Sequence, residues 1–557
     1  MINLNLLGYK QLHIKIILSC LALICFFSTL NIVPPLDRDE SRYIQSTVQM
    51  LETKDFVNIN FLDNPRLKKP PGIYWLQAVS VTLTKNILFL DKAPLWAYRL
   101  PSAIGASIAV WLTFLIGQLL FGRKQGFIAS LLLLSSPLLL MESHIAKTDS
   151  VLLAFFLYIL YILAKIIFYD EKKLIKPSTI TILSAWIALG FAFLIKGPVA
   201  LFIILLTIIC FILCRESLDF KVMKPILGVL ILLLIVTPWF VMIQSGNNSE
   251  VLFGSIKKDM ILKLISAQES HGAPPGSYIL SSFISAWPIA LFIVPTTIWV
   301  FLNKSNKAVK FLLCSLIPTW ICFEIIPTKL LHYILPLLPS FAILTSAMII
   351  SSFDKNKFNE IFLRPIYRLL SVLPIIGGII LSFGVIYIGI KYGEGITLPI
   401  IFVATIYFSS AIKCGYFILY RNFIKALIIV IVSNIIAFNL LMFFVPNQLD
   451  KIWVSERVFK QIEYKTASDS FILLGYSEPS LVYRLGSLTE IVGSSEEAIN
   501  LILDKNIRAI IIESSYLEQF KTLSKKNGII LHKIGKTILG FNYSKGKNVE
   551  IVIVDLN

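Results

Sequence analysis

Charged residues are scarce in this chain of 557 residues. Asp, Glu, Lys and Arg make up 15% of it, hydrophobic residues make up 56%, and the mean hydropathy is +0.78. Soluble domains carry about 25% charged residues. A water-soluble core cannot absorb so much Leu, Ile and Phe, so the composition excludes an ordinary soluble protein and indicates that most of the chain faces lipid.

Acidic residues are scarcer than basic ones. The chain has 33 acidic and 51 basic residues, which gives a net charge of +18. The region from Pro446 onwards holds 14 basic and 13 acidic residues, so nearly all of the excess lies in the apolar part. There it forms short clusters between apolar runs, which is typical of topology signals and not of a nucleic-acid-binding face. No nucleic-acid partner is expected.

Cysteine is also sparse. All seven cysteines lie within or at the edge of apolar runs, and no pair has the CxxC spacing of zinc ligands. No disulfide framework is expected. Cys210 and Cys214 are one helical turn apart in an apolar run, which favours a packing role.

Long apolar stretches recur along the chain, and a helix needs about 20 such residues to cross a membrane. We predict about thirteen spans, near 14–33, 97–121, 126–142, 150–168, 178–195, 198–214, 225–243, 279–302, 311–327, 331–352, 369–390, 399–419 and 426–445.

The short loops predict the orientation of these spans. With the N-terminus inside, the cytoplasmic segments hold 19 Lys and Arg and the short outer loops hold four, in agreement with the positive-inside rule. An odd number of spans then places the C-terminus outside, together with two longer loops, about 34–96 and 244–278.

The last part of the chain, 446–557, has a different pattern from the transmembrane part, 1–445. FILLGY, RAIIIES, IILHKIG and VEIVIVDL are typical of strands, and EEAINLILDKN and SSYLEQFKTLSKKNG are typical of amphipathic helices. These elements predict a small outer α/β domain. It has no Gly-rich phosphate loop, so a docking or structural role is expected.

Three polar motifs lie on the predicted outer side. PPLDRDESRY places Asp37, Asp39 and Glu40 where the first span ends; the alternative to a functional site is a solvated turn before a helix. NPRLKKPPGIYWLQ leads from Lys69 into an aromatic segment that suits a lipid phosphate or, alternatively, a plain interfacial anchor. HIAKTDS contributes Asp149, which is either a second functional carboxylate or an N-cap.

Together with LIKGPV (194–199) and TKLLHYILPLLP (328–339), these motifs resemble the bacterial aminoarabinose lipid A transferases and their protein O-mannosyltransferase-like relatives of the GT-C glycosyltransferase class. The five motifs occur in the family's order. The resemblance implies an α-helical polytopic membrane protein with a small C-terminal periplasmic α/β domain, located in the bacterial inner membrane.

The resemblance also implies an activity. Such enzymes move a sugar from a polyprenyl-phosphate donor to a periplasmic acceptor, here lipid A or another envelope glycan. Asp39 matches the essential acid, Asp149 the supporting carboxylate and Lys69 the lysine that binds the carrier phosphate. The further candidates are Glu40 for catalysis, Lys263 and Arg42 for the donor phosphate, and His271, His332, Tyr333 and Glu324 for the lining of the cavity.

Some positions depart from the family pattern. Met260 stands where a histidine is expected, and Lys68 stands where some relatives have an acid beside the lysine. Both departures weaken the case for a divalent metal, which stays possible. Glu324 lies inside a span, and Lys329 is expected to neutralise it.

Other functions remain open at this point. A flippase or transporter of lipid-linked sugars would explain many spans, although no repeat symmetry between the two halves is found. A family member that glycosylates protein or another envelope glycan, and a non-catalytic assembly subunit, are further alternatives. The sugar, the acceptor and the oligomeric state are not specified by the motifs.

Overall fold

The computed structural model describes residues 11–173, 175–245, 254, 272–351, 364–462 and 469–556, with side chains left out at 364–367. The predicted site residues Lys263 and His271 lie outside this described part. Within it, the chain forms an apolar helical region followed by a small mixed sheet.

The helical region holds most of the secondary structure. Its α-helices are α1 (Gln11–Phe26), α2 (Asp39–Thr53), α3 (Gly72–Leu88), α4 (Leu95–Leu120), α5 (Arg123–Leu134), α6 (Pro137–Ser143), α7 (Asp149–Phe168), α8 (Thr179–Lys196), α9 (Val199–Leu213), α10 (Phe220–Met223), α11 (Pro225–Ser245), α12 (Ser277–Ser285), α13 (Ile293–Leu302), α14 (Lys307–Ile325), α15 (Leu338–Ser351), α16 (Arg364–Tyr392), α17 (Leu398–Leu419) and α18 (Phe423–Phe444). Short 3-10 helices cover Ile289–Phe292, Leu331–Leu337 and Pro446–Gln448.

The predicted polytopic fold class is confirmed. Among the described residues, nine helices are long and apolar enough to cross a membrane, and two bent helix pairs raise the number to eleven. Two shorter apolar helices, α1 and α9, lie where two further spans are predicted. The total of about thirteen stays a prediction. Helices suit this environment because a backbone in lipid must satisfy its own hydrogen bonds.

Several predicted spans are interrupted. The first one ends at Phe26 and not near residue 33, because the following backbone carbonyls turn to meet a buried arginine described below. The span predicted over 126–142 bends by 64° between α5 and α6, next to Pro137. The span predicted over 279–302 bends by 116° between α12 and the helix that follows it, next to Pro288.

The first outer loop carries short elements that pack on the ends of the spans. Strands β1 (Asn60–Phe61) and β2 (Asn64–Pro65) form a small antiparallel ribbon between α2 and α3. Helix α3 is amphipathic: Tyr74 and Gln77 are buried, whereas Val79 and Leu83 are exposed. Gly72 begins this helix at a close approach, since a Cβ there would lie 2.7 Å from the carbonyl oxygen of Leu194 in α8.

The C-terminal part is an α/β unit, as predicted. Its helices are α19 (Val454–Gln461), α20 (Pro479–Leu485), α21 (Ser495–Asp504) and α22 (Ser514–Lys526), and its strands are β3 (Phe471–Leu474), β4 (Thr489–Val492), β5 (Ala509–Glu513), β6 (His532–Asn542) and β7 (Lys547–Asp555). The strand order is β4-β3-β5-β7-β6, with β3 parallel to both β4 and β5, and with β7 antiparallel to β5 and β6.

Candidate functional site

A polar cavity of about 320 Å³ lies where α2, the start of α3, the loop before α7 and the end of α8 meet. Its lining is dominated by charged side chains. The basic ones are Arg38, Arg42, Arg66, Lys68, Lys69, Lys147 and Lys196, and the acidic ones are Asp37, Asp39, Glu40 and Asp149. His332, Tyr43 and Tyr333 complete the set of ionisable groups. With seven cations against four carboxylates, the cavity suits an anionic ligand.

A buried ion pair fixes the floor of this cavity. The Arg99 guanidinium in α4 donates to the Glu40 carboxylate at 2.8 and 3.0 Å, and both side chains are fully buried. Arg99 also donates to the carbonyl oxygens of Leu30 and Val33 at 2.7 and 2.8 Å. The backbone N–H of Ala146 donates to Glu40 at 2.9 Å. One ion pair therefore joins the end of the first span, α2, α4 and the HIAKTDS loop.

The C-terminal domain contacts the loop that carries the acidic motif. The Ser480 hydroxyl donates to the Asp37 carboxylate, and the backbone N–H of Asp37 donates to the Tyr543 hydroxyl at 2.6 Å. Arg38 has a positive φ of 65° and donates to the carbonyl oxygen of Ser544. Burial raises the pKa of Asp37 to about 6. The domain thus has a structural role at the cavity rim.

Asp39 is the most accessible carboxylate of the acidic motif, with 54% of its side chain exposed. It begins α2, where the helix N-terminus favours negative charge. Partial desolvation in the cavity would raise the pKa of Asp39, but the nearby positive charges of Lys147, Arg66 and Arg42 outweigh it, so its pKa lies below the usual value. Asp39 is therefore ionised at neutral pH.

Asp149 is held by a cation. It begins α7 and pairs with the Lys196 ammonium at the end of α8, and its side chain is 4% exposed. The same ammonium lies 5.5 Å from the centre of the Tyr333 ring. Gly197 follows with φ of 67°, a conformation that lets the chain leave the helix directly after Lys196. The HIAKTDS, LIKGPV and LLHYILP motifs therefore meet at one place.

A second set of contacts surrounds Lys147. Its ammonium lies 3.6 Å from Glu142, and the same Glu142 oxygen lies 4.0 Å from Nδ1 of His332. Burial would lower the pKa of Lys147, but the carboxylates of Glu142, Asp149 and Asp39 outweigh it, so its pKa is raised. Lys147 is consequently a fixed positive charge between the two candidate catalytic acids.

The basic motif also contributes side chains to the lining of the cavity. Arg66 is buried, lies 3.6 Å from Asp39 and stacks over the Tyr43 ring at 5.0 Å. Lys68 and Lys69 both line the cavity, and Lys69 is the less exposed of the two. Gly72 seats this segment against the end of α8, so the lysines, Asp149 and Lys196 line the same cavity.

The structure brings seven of the ten candidate residues to this one cavity: Asp39, Asp149, Glu40, Lys69, Arg42, His332 and Tyr333. Lys263 and His271 stay predictions. Within the group, Glu40 differs from the other acids, because its carboxylate is fully used by Arg99 and two backbone N–H groups. Its contacts favour a positioning role over a catalytic one.

The prediction that Glu324 lines the cavity was wrong, whereas Lys329 does lie close enough for the two charges to attract each other. Glu324 does not line the cavity, and its carboxylate accepts hydrogen bonds from the backbone N–H of Gly276 at 2.9 Å and from the Trp320 indole at 3.3 Å. Lys329 does not neutralise it through an ion pair. Instead its ammonium donates to the carbonyl oxygens of Phe323, Glu324 and Ile326, which follow the end of α14. The carboxylate therefore anchors the turn before α12.

Sequence analysis missed five residues of the site and its support: Arg66, Arg99, Glu142, Lys147 and Lys196. Arg66, Lys147 and Lys196 occur within the motifs, so the signal was present, but no single-sequence argument pairs a cation with a particular acid. Arg99 lies in an apolar helix with no motif around it. A lone arginine in a membrane span is itself a signal, since such a charge needs a buried partner.

The arrangement of side chains in the described part of the cavity does not favour a binding site for a divalent metal. The His, Asp and Glu side chains there do not form a group of three whose ligand atoms lie within 4.8 Å of one another. The acids are instead matched with cations, as in the pairs Asp149–Lys196 and Glu142–Lys147. No chemical step is assigned to a metal here.

Comparison with known proteins agrees with the motif analysis. Residues 68–242 match the family model described as dolichyl-phosphate-mannose-protein mannosyltransferase. The chain is 24% identical over 371 residues to undecaprenyl phosphate-alpha-4-amino-4-deoxy-L-arabinose arabinosyl transferase 2 of Pseudomonas fluorescens, an alignment covering 66% of this chain and 61% of that one. The corresponding transferase of Pectobacterium atrosepticum is 23% identical, with 68% of each chain covered.

Solved structures show the same architecture. ArnT from Cupriavidus metallidurans bound to undecaprenyl phosphate superimposes with a TM-score of 0.75 at 15% identity, covering 98% of this chain and 99% of that one. The archaeal oligosaccharyltransferase AglB from Archaeoglobus fulgidus is more distant, with a TM-score of 0.54 at 11% identity and coverage of 91% and 69%.

The fold is therefore that of a polytopic membrane protein with a C-terminal α/β domain, similar to the architecture of ArnT. The sequence matches confirm the resemblance to the aminoarabinose transferases and their protein mannosyltransferase-like relatives.

Replacing Glu40 by Gln should destabilise the protein strongly. Gln keeps the shape but leaves the buried Arg99 charge uncompensated, and breaking such a pair costs about 3–5 kcal/mol. The midpoint of thermal unfolding in detergent should fall clearly. Glu171→Gln is the matched control, because its pair with Lys307 spans 3.9 Å and is half exposed. Equal midpoints for the two variants would contradict the role of Glu40.

Asp37 should make stability depend on pH. Its pKa in the folded protein, about 6, lies above the ordinary value of about 4. The contribution of Asp37 to the free energy of unfolding is thus fully present below about pH 4 and is lost as the pH rises to about 6. Asp37→Asn mimics the protonated acid, so its melting midpoint relative to wild type should be higher at pH 7 than near pH 4. Asp63→Asn controls for removing an exposed acid from the same loop. A constant difference for Asp37→Asn would contradict the assignment.

Proposed function

We propose that this protein is an integral-membrane glycosyltransferase that moves a sugar from a polyprenyl-phosphate donor to lipid A or another lipopolysaccharide component. The observation that carries the proposal is the accessible, ionised Asp39 at a membrane-end cavity in which cations outnumber carboxylates. The names of the relatives, undecaprenyl phosphate aminoarabinose transferases, support this chemistry.

The cations bind the phosphate of the donor. A sugar-phosphate diester carries one negative charge, and the lysines of the KKPPG segment offer point charges at the level where a lipid headgroup lies. Lys69 is the less exposed of the two lysines and lines the cavity together with Lys196. We assign Lys69 to the carrier phosphate, with Arg42 as a second candidate.

The reaction is a displacement at the sugar carbon C1. An acceptor oxygen forms a bond to C1 while the bond from C1 to the phosphate oxygen breaks, and polyprenyl phosphate leaves with the bonding electrons. Positive charge develops on the sugar ring in the transition state, and a nearby carboxylate stabilises it. Asp39 has this role, while Asp149, neutralised by Lys196, positions the surrounding groups.

The low pKa of Asp39 bears on the acceptor. A carboxylate whose pKa lies below its usual value is a weak base, so it is poorly suited to remove a proton from a sugar hydroxyl. A phosphate oxygen, as on lipid A, is already anionic and needs no base. The electrostatics of the site therefore favour a phosphate acceptor over a hydroxyl acceptor.

The location follows from the charge bias of the loops. We place the protein in the bacterial inner membrane with the N-terminus in the cytoplasm, so that the cavity and the C-terminal domain face the periplasm. A transport function is not favoured, because the acidic residues of the candidate site line a single cavity at one end of the helices and the relatives are named as transferases. The identity of the sugar stays open.

Asp39→Asn should abolish transfer while leaving the fold intact. The change keeps the shape and removes the charge, and a loss of about 10²–10³ in rate is expected for one electrostatic group. The assay is transfer of radiolabelled sugar from polyprenyl phosphate to lipid A by the purified protein, with Asp91→Asn, an exposed acid of the same outer loop, as the control. More than a tenth of wild-type activity in Asp39→Asn would refute the assignment. Movement of the donor across vesicles without transfer would favour the flippase.

Lys69→Ala should weaken the use of the donor. Loss of a hydrogen bond to a charged group costs about 1.5–3 kcal/mol, or roughly tenfold or more in donor affinity. Lys69→Arg should restore part of it, because Arg keeps the charge but spreads it over a planar fork. The effect is measured as the KM for the donor and as the affinity of the protein for the donor. Lys68→Ala should do less, and exposed Lys92→Ala should do nothing; a larger effect at Lys68 would show that the neighbouring lysine holds the phosphate.

A further inference from the structure

Three cysteines from two helices meet far from the polar cavity. Cys210 lies in α9, Cys214 follows the end of that helix, and Cys314 lies in α14. Their sulfur atoms all lie within 4.8 Å of one another, and Cys214 and Cys314 are 3.9 Å apart. All three are free thiols, and among the described residues they form the only such group of His, Cys, Asp or Glu side chains.

The two helices hold these thiols in a fixed arrangement. The rings of Phe211 and Phe311 pack edge to face at 5.9 Å, one residue after Cys210 and three before Cys314. Just beyond the cluster, Lys310 and Glu216 form an ion pair at 2.7 Å. Contacts on both sides therefore set the relative position of α9 and α14, and the sulfur atoms need little rearrangement to bind a common ligand.

The spacing fits one metal ion. Zinc–thiolate bonds are about 2.3 Å long, so three thiolates arranged around one ion are about 4 Å apart. Three sulfur donors favour soft ions such as Zn²⁺ or Cu⁺ and reject Mg²⁺ or Ca²⁺. We propose that Cys210, Cys214 and Cys314 form a binding site for one thiophilic metal ion.

The position of the site allows an ion to reach it. Cys214 is exposed, Cys210 is half-buried and Cys314 closes the site from inside. The cluster faces the predicted cytoplasmic loop 215–224, and thiols are kept reduced in that compartment. Three thiolates and a divalent ion carry one net negative charge, and the ammonium of Lys310 lies on the same helix one turn before Cys314.

The site is distinct from the polar cavity. Cys210 lies eleven residues after Val199, the first residue of α9, which corresponds to a rise of about 16 Å along the helix. The cavity lies near the other end of α9, beside Lys196. A bound ion would therefore link α9 to α14 and stabilise the folded state by mass action without touching the polar cavity.

Metal binding by the full-length protein in detergent tests the proposal. Reduced protein is titrated with Zn²⁺ or Cu⁺ against a competing chelator, and Cd²⁺ serves as a probe through its sulfur-to-metal charge-transfer absorption. We expect one ion per chain and a fall in affinity of at least ~10-fold for each of Cys210→Ser, Cys214→Ser and Cys314→Ser. Comparing the titrations with Zn²⁺ and with Cu⁺ shows which of the two ions binds more tightly.

Cys322→Ser is the matched control, since Cys322 lies on α14 about 12 Å beyond Cys314. It should bind metal as the wild type does, and the three cluster variants should keep transferase activity. Unchanged stoichiometry and affinity in the triple Cys→Ser variant would overturn the proposal.

A second test uses the wild-type protein, so it does not depend on whether the cysteine variants fold. Zn²⁺ or Cu⁺ should slow alkylation of Cys214 at least ~10-fold and leave the exposed Cys20 unaffected. Equal alkylation rates of Cys214 with and without metal would overturn the proposal as well.

Discussion

The buried pair of Glu40 and Arg99 is the interaction on which the candidate site depends. A charge inside a membrane protein is tolerated only with a partner, and here the two charges are bonded directly and by backbone groups on both sides. The pair ends the first helix early, turns the acidic motif toward the cavity and holds the HIAKTDS loop beside it. Asp39 and Asp149 thus face one cavity although they lie 110 residues apart in sequence.

The acidic residues of the site have different roles because their surroundings differ. Glu40 is fully bonded and supports the fold, Asp37 joins the C-terminal domain, Asp149 is paired with Lys196, and Asp39 remains accessible in a field of cations. Carboxylate side chains therefore have four different roles in and around one cavity. This arrangement also explains the C-terminal domain, because its contacts with Asp37 and Arg38 hold the loop from which Asp39 projects.

Much of this arrangement could be predicted from sequence. Apolar runs of span length, a basic bias in alternate loops and strands rich in β-branched residues predicted the helical region and the C-terminal sheet, and the motifs predicted which residues would be close together. Pairing could not be predicted. Asp149 pairs with Lys196 because α7 packs against α8. Glu324 bonds to a backbone N–H because a turn of the chain places Gly276 beside it. Strand β4 was missed because its residues TEIV include a polar Thr and a charged Glu, whereas the equally short β3 is the apolar run FILL.

The surplus of positive charge has a consequence for turnover. In the proposed reaction the donor is a phosphodiester with one negative charge, whereas the released carrier is a phosphomonoester whose second pKa is about 6 and which carries nearly two. A cavity in which cations outnumber carboxylates should therefore bind the spent carrier more tightly than the fresh donor. We therefore expect the cavity to oppose departure of the carrier more than entry of the donor, so that the free carrier competes with its own sugar-loaded form.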